Sequence, residues 1–277
     1  MNSDTSTMAR QIRRIVLEES KRANVGHIGS SLCVADILAA LYGNVLRISA
    51  PSDPDRDRFI LSKGHAGLAL FATLALKGWI PPAALATFCG DNTLLGVHPE
   101  AAAPGVDFST GSLGHGLSMA AGAALAARLQ GSGRRVYCLI SDGECNEGSV
   151  WEAAMFTAHH RLGNLTAILD LNGQQAFGRT SEVLDCANMR ERWQAFGWLV
   201  SEVDGHSHSA LTSALNETAD RPRIVIARTT FGKGVSYMEQ GVPLTQTHLS
   251  THTINWHYLP MSDAEYAIAM SEIEPDR

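Results

Sequence analysis

The feature that most constrains this chain is a pair of polar residues, Asp142 and Asn172, each followed by glycine and preceded by a strand-like run. The runs 135–140 and 165–171 are apolar and rich in β-branched or aliphatic residues, as buried strands are. The stretch 146–162 between them has the spacing of a helix. A strand, a helix and a second strand in this order predict two parallel strands joined by a crossover helix. Asp142 and Asn172 then meet at the carboxyl edge of the sheet, where open α/β folds bind ligands.

These two polar side chains suit a metal ion that is shared with a phosphate group. Asp142 offers a carboxylate and Asn172 an amide carbonyl, and Mg2+ is usually bound by one or two such groups together with phosphate oxygens. Gly143 allows the backbone to approach a phosphate closely, and a helix that begins near Asn146 directs its N-terminal N–H groups at the anion. Asp-Gly and Asn-Gly are also common in ordinary turns. Their occurrence after two successive strands favours the metal–phosphate site.

Strand-like and helix-like segments alternate along the whole chain. This order predicts an α/β fold with a doubly wound, mostly parallel sheet and helices on both faces. The chain of 277 residues has room for one large domain, and we expect a single domain over 1–277. The predicted helices cover 5–23, 32–45, 67–78, 116–130 and 207–218, and the further strands cover 58–61, 106–109, 198–203 and 224–228.

Charge and cysteine content argue against several classes of function. The net charge of −6 and the pI near 6.0 argue against a nucleic-acid-binding surface. We find no apolar run of the roughly twenty residues that a membrane span needs, and no signal-peptide core in the first residues, so no membrane partner is expected. The five cysteines lack zinc or redox spacing, and Cys33 and Cys138 lie in apolar segments typical of core thiols. We predict a reducing, cytoplasmic location.

The turn at Asp142 followed by Asn172 resembles the thiamine-diphosphate motif, and the surrounding sequence resembles the transketolase family. The resemblance runs along nearly the whole chain, keeps the family's order of blocks, and covers the first of the family's domains, which holds the cofactor's diphosphate. The matching blocks are 26–29 (Gly-His-Ile-Gly), 61–66 (Leu-Ser-Lys-Gly-His-Ala), 96–100 (Gly-Val-His-Pro-Glu), 110–116 (Thr-Gly-Ser-Leu-Gly-His-Gly), 232–236 (Gly-Lys-Gly-Val-Ser), 256–257 (Trp-His) and 263–266 (Asp-Ala-Glu-Tyr).

The resemblance implies thiamine diphosphate as the cofactor and Mg2+ as its metal, for which Ca2+ or Mn2+ can substitute. Three protein ligands are implied for the metal: Asp142, Asn172 and the backbone carbonyl of Gln174. Glu147 resembles the family's acidic residue at the subunit contact, although the helix dipole alone also favours a carboxylate at a helix N-terminus. The residues implied for cofactor binding are His65, Gly111, Ser112, Leu113, Gly143, Glu147, Asn172 and His257.

By the same resemblance, four of the eleven histidines have catalytic roles. His65 and His257 are expected near the cofactor's diphosphate or the reacting centre, and His27 and His98 at the terminal hydroxyl and the carbonyl oxygen of the substrate. Imidazoles suit this work because they exchange protons with hydroxyl and carbonyl groups near neutral pH. A single loop histidine is more often a solvated surface residue, but several in Gly-flanked loops of one sheet indicate a common cleft. His115 stands where the family usually has Gln, and we assign no catalytic role to it.

The chain resembles only the first part of a complete transketolase. The family's second domain supplies the pyrimidine pocket, most phosphate ligands of the substrate and the Glu that activates the cofactor. The residues after Arg228 are too few for another α/β domain. We therefore expect a C-terminal transketolase subunit with the pyrimidine-binding domain, in an α2β2 assembly. The predicted reaction is transfer of a two-carbon ketol unit from a ketose or ketose phosphate to an aldose, with the isolated chain inactive.

Other functions are compatible with parts of the sequence. The Asp-Gly…Asn motif also resembles deoxyxylulose-phosphate synthase and the α subunit of 2-oxo acid dehydrogenases, but the Gly-His-Ile-Gly and Trp-His blocks favour transketolase. A non-catalytic scaffold subunit is an alternative of a different class, and the intact Asp142 and Asn172 argue against it. The segment 239–255, which contains His248 and His252, is longer than is usual in the family and is expected near the mouth of the site.

Overall fold

The structure is a computed structural model that describes residues 4–185, 187–239 and 255–273. Its strands are β1 Arg58–Leu61, β2 Val136–Ser141, β3 Leu165–Leu171, β4 Gln174–Gln175, β5 Gly178–Arg179, β6 Leu199–Asp204 and β7 Arg223–Arg228. The main sheet has the order β1-β2-β3-β7-β6, and all of its neighbours pair in parallel. Strands β4 and β5 form a short antiparallel hairpin after β3. The prediction of a mostly parallel, doubly wound sheet is confirmed.

Helices lie on both faces of this sheet. They are α1 Thr5–Ala23, α2 Ile28–Cys33, α3 Ala35–Ala40, α4 Gly67–Leu76, α5 Pro82–Leu85, α6 His115–Leu129, α7 Gly148–His159, α8 Thr180–Val183, α9 Met189–Ala195, α10 His208–Asn216, α11 Ser236–Glu239, α12 Asn255–Tyr258 and α13 Asp263–Ile273. A π-helical turn, Leu41–Val45, follows α3, and short 3-10 turns cover Gly64–Ala66 and Gly143–Asn146.

Strand β2 shows how the sheet is buried on both faces. Tyr137 and Leu139 belong to one hydrophobic core, which also contains residues of α1, α3 and α4. Cys138 and Ile140 belong to a second core, formed with α6 and α7. These four side chains are at most 1% exposed. A strand that is buried on both faces is a nearly continuous apolar run, which is the pattern that the sequence shows here.

The predicted N-terminal helix is confirmed with its predicted bounds. Asp4 caps α1, because its carboxylate accepts a hydrogen bond from the backbone N–H of Ser6 at 3.1 Å. Ile12 and Val16 are fully buried on the face that contacts the core. The helix ends at Asn24, which adopts a left-handed conformation with φ of 54°.

The strand predicted over 106–109 is wrong. The segment has no regular structure, and its contact with β1 is made by a side chain instead of backbone pairing. Asp107 accepts hydrogen bonds from two guanidinium nitrogens of Arg56 at 3.0 and 2.8 Å and from the backbone N–H of Phe59 at 3.3 Å. The Asp107 carboxylate thus accepts from one backbone N–H of β1, that of Phe59, which a neighbouring strand would otherwise pair with.

The helix predicted over 32–45 starts earlier and is interrupted. Helix α2 begins at Ile28, and Val34 separates it from α3. By length and composition alone the segment 28–45 can cross a membrane, which corrects the expectation that no apolar run reaches that length. Because 89% of this segment is buried inside the molecule, it has the placement of a core helix, which meets the same criterion.

Candidate active site

The two turns of the predicted metal–phosphate site are joined at the carboxyl edge of the sheet. Asp142 follows β2, and its carboxylate accepts hydrogen bonds from the backbone N–H of Gly143 at 2.8 Å and of Gly173 at 2.7 Å. The N–H of Asp142 donates to the carbonyl of Asp170 at 3.2 Å. Asn172, directly after β3, is therefore held near Asp142 by contacts of the residues on either side of it in the chain: the N–H of Gly173 donates to the Asp142 carboxylate, and the carbonyl of Asp170 accepts from the Asp142 N–H.

Asp142 and Asn172 present oxygen atoms with remaining lone pairs. Burial raises the pKa of Asp142 to about 7, the negative charge of Asp170 adds to this effect, and the Asp142 side chain is fully buried. The Asn172 amide nitrogen donates to Asp170 at 2.8 Å, and its carbonyl oxygen accepts from the N–H of Gln174 at 2.9 Å. This pair of contacts sets the amide orientation. A carboxylate or amide oxygen that accepts one hydrogen bond can still bind a cation.

A buried ion pair lies beneath these ligand candidates. Lys63 and Asp170 are both fully buried and contact each other through the Lys63 ammonium. Burial opposes the charge of each group, but Lys63 holds the pKa of Asp170 below its usual range and Asp170 raises that of Lys63. Asp170 also accepts from the hydroxyl of Thr229 and from the thiol of Cys33, the latter at 3.2 Å. Neither charged residue was among the predicted site residues, although an aspartate inside the apolar run 165–171 was an available signal.

The four predicted histidines are brought together from four separate segments. The His27 ring centroid lies 5.6 Å from that of His65, 6.5 Å from that of His98 and 5.1 Å from that of His257. The centroids of His65 and His257 are also 5.1 Å apart. The four imidazoles therefore form one cluster, while their placement in a common cleft and their chemical roles stay predictions.

Close backbone packing places His27 within this cluster. Gly26 lies so near the chain that an added Cβ would be only 2.3 Å from the carbonyl oxygen of Tyr258. His27 follows in a left-handed conformation with φ of 60°, and its N–H donates to the carbonyl of His257 at 3.1 Å. The Gly-His pair in the sequence therefore reflects a required close approach to α12.

Burial keeps the clustered imidazoles neutral near neutral pH. It lowers the pKa of His257 to about 4, holds that of His65 well below its usual range, and lowers those of His27 and His98. The neighbouring positive groups act in the same direction for His65 and His257. A neutral imidazole has one nitrogen that donates and one that accepts a proton. Among the residues that the structure describes, the buried Nδ1 atoms of His27 and His257 have no hydrogen-bond partner.

A cavity of about 450 Å3 connects the two parts of the site. The predicted residues that line it are His65, Leu113, Gly143, Glu147, Asn172, Gln174 and His257. Gly111, Ser112 and His98 line a neighbouring cavity of about 400 Å3, together with His115. Asp142 itself is buried behind Gly143 and is not part of the lining. The cavity is also lined by residues that were not predicted from the sequence, namely Ser30, Lys63, Ser141, Asn146, Gln175, Ala176, Phe177, Val183 and Leu184.

The residues of this cavity fit a diphosphate held through a hard cation. The three predicted metal ligands, Asp142, Asn172 and the carbonyl of Gln174, would all bind through oxygen, which is the ligand type that Mg2+ prefers. Within the described ranges, no group of three or more His, Cys, Asp or Glu side chains is arranged to hold a metal, so a cation here would rely on this mixed set and on phosphate oxygens. The buried amide nitrogen of Gln175 has no hydrogen-bond partner within the described part of the chain, and it is a donor of the kind that suits an anion. His248 and His252 lie outside the described residues.

Another large cavity, of about 480 Å3, lies at the opposite, amino edge of the sheet and is rich in arginine. Its arginine side chains already have protein partners: those of Arg47 and Arg135 contact the buried Asp57, and that of Arg161 contacts Asp220. Because the paired turns and the histidines all lie at the carboxyl edge, we assign the ligand site to that edge.

Comparison with known proteins gives this geometry a family context. A family described as "Transketolase, thiamine diphosphate binding domain" matches residues 4–263. The 6-deoxy-6-sulfo-D-fructose transketolase subunit SqwG of Clostridium sp. (strain MSTE9) is 41% identical over 242 residues, which cover 85% of this chain and 88% of that subunit. An apulose-4-phosphate transketolase subunit of Phocaeicola vulgatus is 40% identical over 247 residues, with the same coverage of 85% and 88%.

Solved structures show the same similarity. Transketolase from Campylobacter jejuni superposes on this chain with a TM-score of 0.86 at 27% sequence identity. The match covers 99% of this chain and 43% of the Campylobacter protein. The chain thus spans less than half the length of that transketolase.

Proposed function

The chain belongs to the transketolase family, and we propose on this premise that it is the diphosphate-binding subunit of a split transketolase that depends on thiamine diphosphate and Mg2+. The observation that carries the proposal is the cavity at the carboxyl edge, which has Asn172 beside Asp142 on one side and His65 with His257 on the other. The reaction is transfer of a two-carbon ketol unit from a ketose donor to an aldose acceptor.

In this proposal the turns after β2 and β3 hold the cofactor. Asp142, Asn172 and the carbonyl of Gln174 would hold Mg2+, which would supply the positive charge that balances the diphosphate. Gly143 and the N-terminus of α7 face the anion, which suits the positive end of the helix dipole. The chemistry that thiamine diphosphate supplies when bound is a nucleophilic carbon that carries the two-carbon unit.

The histidines bind and orient the sugar and exchange protons with it. The depressed pKa values of His27, His65 and His257 leave these groups neutral at pH 7, so each can donate at one nitrogen and accept at the other. His98 lies at the outer side of the cluster, where it contacts a hydroxyl or carbonyl oxygen of the substrate. The burial of His257 and the partial burial of His27 and His65 limit the access of water to the reacting groups, which strengthens these hydrogen bonds.

The proposed partner is a C-terminal subunit with the pyrimidine-binding domain and the activating Glu. Two relatives of which this chain covers 88% are named as subunits, which supports a division of the enzyme between two chains. We propose an α2β2 assembly, because each site then contains one chain of each kind and like chains also pair. Light scattering of the co-expressed pair tests this composition.

The substrate is proposed to be a ketose or ketose phosphate. The two relatives are named for 6-deoxy-6-sulfo-D-fructose and for apulose-4-phosphate, so subunits of this type act on unlike ketoses. A donor panel should therefore include both of these sugars as well as pentose and hexose phosphates. Release of a shortened aldose, measured with an aldose acceptor present, identifies the donor.

Reconstitution tests the reaction and the need for a partner together. The purified chain, a C-terminal transketolase subunit with the pyrimidine-binding domain and their mixture are each assayed for ketol transfer across the donor panel, with thiamine diphosphate and Mg2+. We expect turnover from the mixture alone. Ketol transfer by this chain without its partner would contradict the split arrangement, and pyruvate decarboxylation without ketol transfer would contradict the reaction.

The metal assignment is tested by Asp142→Asn. This change removes the charge that balances Mg2+ while it keeps the shape of the side chain. We expect thiamine diphosphate affinity in the presence of Mg2+ to fall by about 2–3 kcal/mol, which is the range for contacts to charged groups. Calorimetric titration of the reconstituted complex measures this affinity. Affinity equal to that of the unmodified complex would exclude Asp142 as a metal ligand.

A further inference from the structure

Glu144 is a buried carboxylate that was not among the predicted site residues. It lies two positions after Asp142 and is 0% exposed. One of its oxygens accepts from the hydroxyl of Ser62 and from the backbone N–H of Gly114, the latter at 2.8 Å. Its other oxygen accepts from the backbone N–H of Ser141 at 3.1 Å. The Glu144 side chain therefore links its own turn after β2 to two segments that are distant in sequence, the turn after β1 and the segment at Gly114.

Glu144 also stabilises the turn that contains Asp142. Ser141 accepts a hydrogen bond at its hydroxyl from the N–H of Glu144 at 3.3 Å, while Glu144 accepts from the N–H of Ser141. This reciprocal pair has the hydrogen-bond pattern of a capping box, and it spans Asp142, which is the N-cap of the 3-10 turn Gly143–Asn146. The spacing Ser-x-x-Glu was visible in the sequence. The capping box fixes the backbone on both sides of Asp142.

The segment that ends at Gly114 contributes to the cofactor cavity. Glu144 joins this segment to the Asp142 turn through the N–H of Gly114. Residues 111–114, here called the glycine loop, include Leu113, which lines that cavity. The loop packs tightly on the turn after β1, because a Cβ on Gly64 would lie 2.8 Å from the N atom of Gly111. Gly114 has φ of +85°, and its carbonyl accepts from the hydroxyl of Ser149 at 3.0 Å. Glu144 thus holds the end of the loop that follows Leu113.

We propose that Glu144 is a positioning residue that holds the glycine loop and the Asp142 turn at a fixed distance, so that the diphosphate pocket is already formed before the cofactor binds. It touches neither cofactor nor substrate and acts through Leu113 and Asp142. The inference rests on the proposed function for the identity of the ligand. The preformed state of the loop is a property of the chain itself and can be measured without ligand.

The test compares two buried carboxylates at opposite edges of one sheet. Glu144→Gln replaces one acceptor oxygen with an amide N–H, which then faces a donor of Ser141 or of Ser62 and Gly114. The matched control is Asp57→Asn. Asp57 is 1% exposed and accepts backbone N–H groups of Arg47 and Arg135 at 3.0 and 2.8 Å at the amino edge.

Two readouts are needed. Hydrogen exchange of the unliganded chain reports opening of residues 110–116, and we expect it to become faster in Glu144→Gln and to stay unchanged in Asp57→Asn. Calorimetry of thiamine diphosphate with Mg2+ on the reconstituted complex reports the pocket. There we expect the affinity to fall by about 10- to 100-fold for Glu144→Gln, which is the range for residues that orient metal ligands without binding the metal. We expect no loss for the control.

The outcomes separate this inference from the proposed function. If the unmodified complex does not bind thiamine diphosphate, the proposed function fails, while the exchange data still decide whether Glu144 holds the loop. If the unmodified complex binds and Glu144→Gln binds equally well with unchanged exchange over 110–116, the positioning role is overturned. If Glu144→Gln does not fold, Ser62→Ala is used. This change removes the hydroxyl that donates to Glu144 and leaves no hydrogen-bond donor facing another donor. Unchanged exchange of the loop in that variant would also overturn the role.

Discussion

At the scale of single residues, burial determines the charge state of the site. His27, His65 and His257 come close enough for their charges to interact, and the protein interior disfavours the charged form of each. The neutral state that suits proton exchange with a sugar is therefore a consequence of packing. The cost of charging these buried histidines also makes the stability of the fold depend on pH.

We predict that stability falls on acidification and that His257 contributes to the loss. Its pKa in the folded chain is about 4, below the 6.5 of an unperturbed histidine, so the unfolded chain binds more protons between these values. The contribution of the neutral His257 to the unfolding free energy is then retained above pH 6.5 and is lost as the pH falls toward 4. Between pH 6.5 and 5 the share of His257 is about 2 kcal/mol.

Urea denaturation at pH 7 and pH 5 measures this effect. The variant His257→Asn should lose less stability between the two pH values than the unmodified chain. His159→Asn is the control, since His159 is exposed at the end of α7. If His257→Asn and the unmodified chain lose the same amount, His257 does not cause the pH dependence.

At the scale of secondary structure elements, side chains tie the turns at the carboxyl edge to one another. Lys63 follows β1 and Asp170 lies within β3, so their ion pair crosses beneath β2 and the Asp142 turn. Asp170 in turn orients Asn172 through its amide nitrogen, at 2.8 Å. The ion pair therefore contributes to the orientation of a predicted metal ligand, and each of its charges depends on the other for compensation inside the protein.

We predict that removal of one charge from this pair costs about 3–5 kcal/mol of unfolding free energy, because a buried charge is left without its partner. Lys63→Met tests this by urea denaturation. The double variant with Asp170→Asn should be less destabilised than Lys63→Met alone, since no buried charge remains. The exposed pair of Arg161 and Asp220 provides the control, and Arg161→Met should cost about 0–1 kcal/mol. Equal losses for the buried and exposed pairs would contradict the prediction.

At the scale of the whole molecule, the mouth of the cofactor cavity has an apolar rim. Phe177 is 79% exposed and Leu184 is 58% exposed, and both line the cavity. Leu129 is equally exposed, at 77%, but it lies at the end of α6 just before β2 begins, at the opposite edge of the sheet. Exposed apolar side chains around a site that we propose to be completed by a second chain are expected to contact that chain.

We predict that Phe177→Ser and Leu184→Ser each weaken binding of the pyrimidine-domain partner by about 2 kcal/mol or more, as central apolar interface residues do. Surface plasmon resonance with the immobilised partner measures the affinity. Leu129→Ser should bind normally, and thermal unfolding of all three variants should match that of the unmodified chain. Normal partner affinity of both rim variants would show that the partner does not cover this rim.

Most strands were predictable because each is a local pattern. The apolar runs at 58–61 and 165–171 form β1 and β3 with the predicted bounds. The segment 106–109 has a similar pattern but packs through Asp107, which the sequence alone does not reveal. The break at Val34 and the role of Glu144 were not predicted, because each depends on packing with segments that are distant along the chain.

The sequence by itself determined the fold class and the edge of the sheet that carries the site. Alternating strands and helices admit few arrangements, and in a parallel sheet the turns after β2 and β3 necessarily lie at one edge. Only the tertiary structure decided that His27, His65, His98 and His257 form one cluster. It also decided that Lys63 and Glu144 support the site from beneath. Those contacts join separate loops, whose relative positions follow from how the helices pack on the sheet.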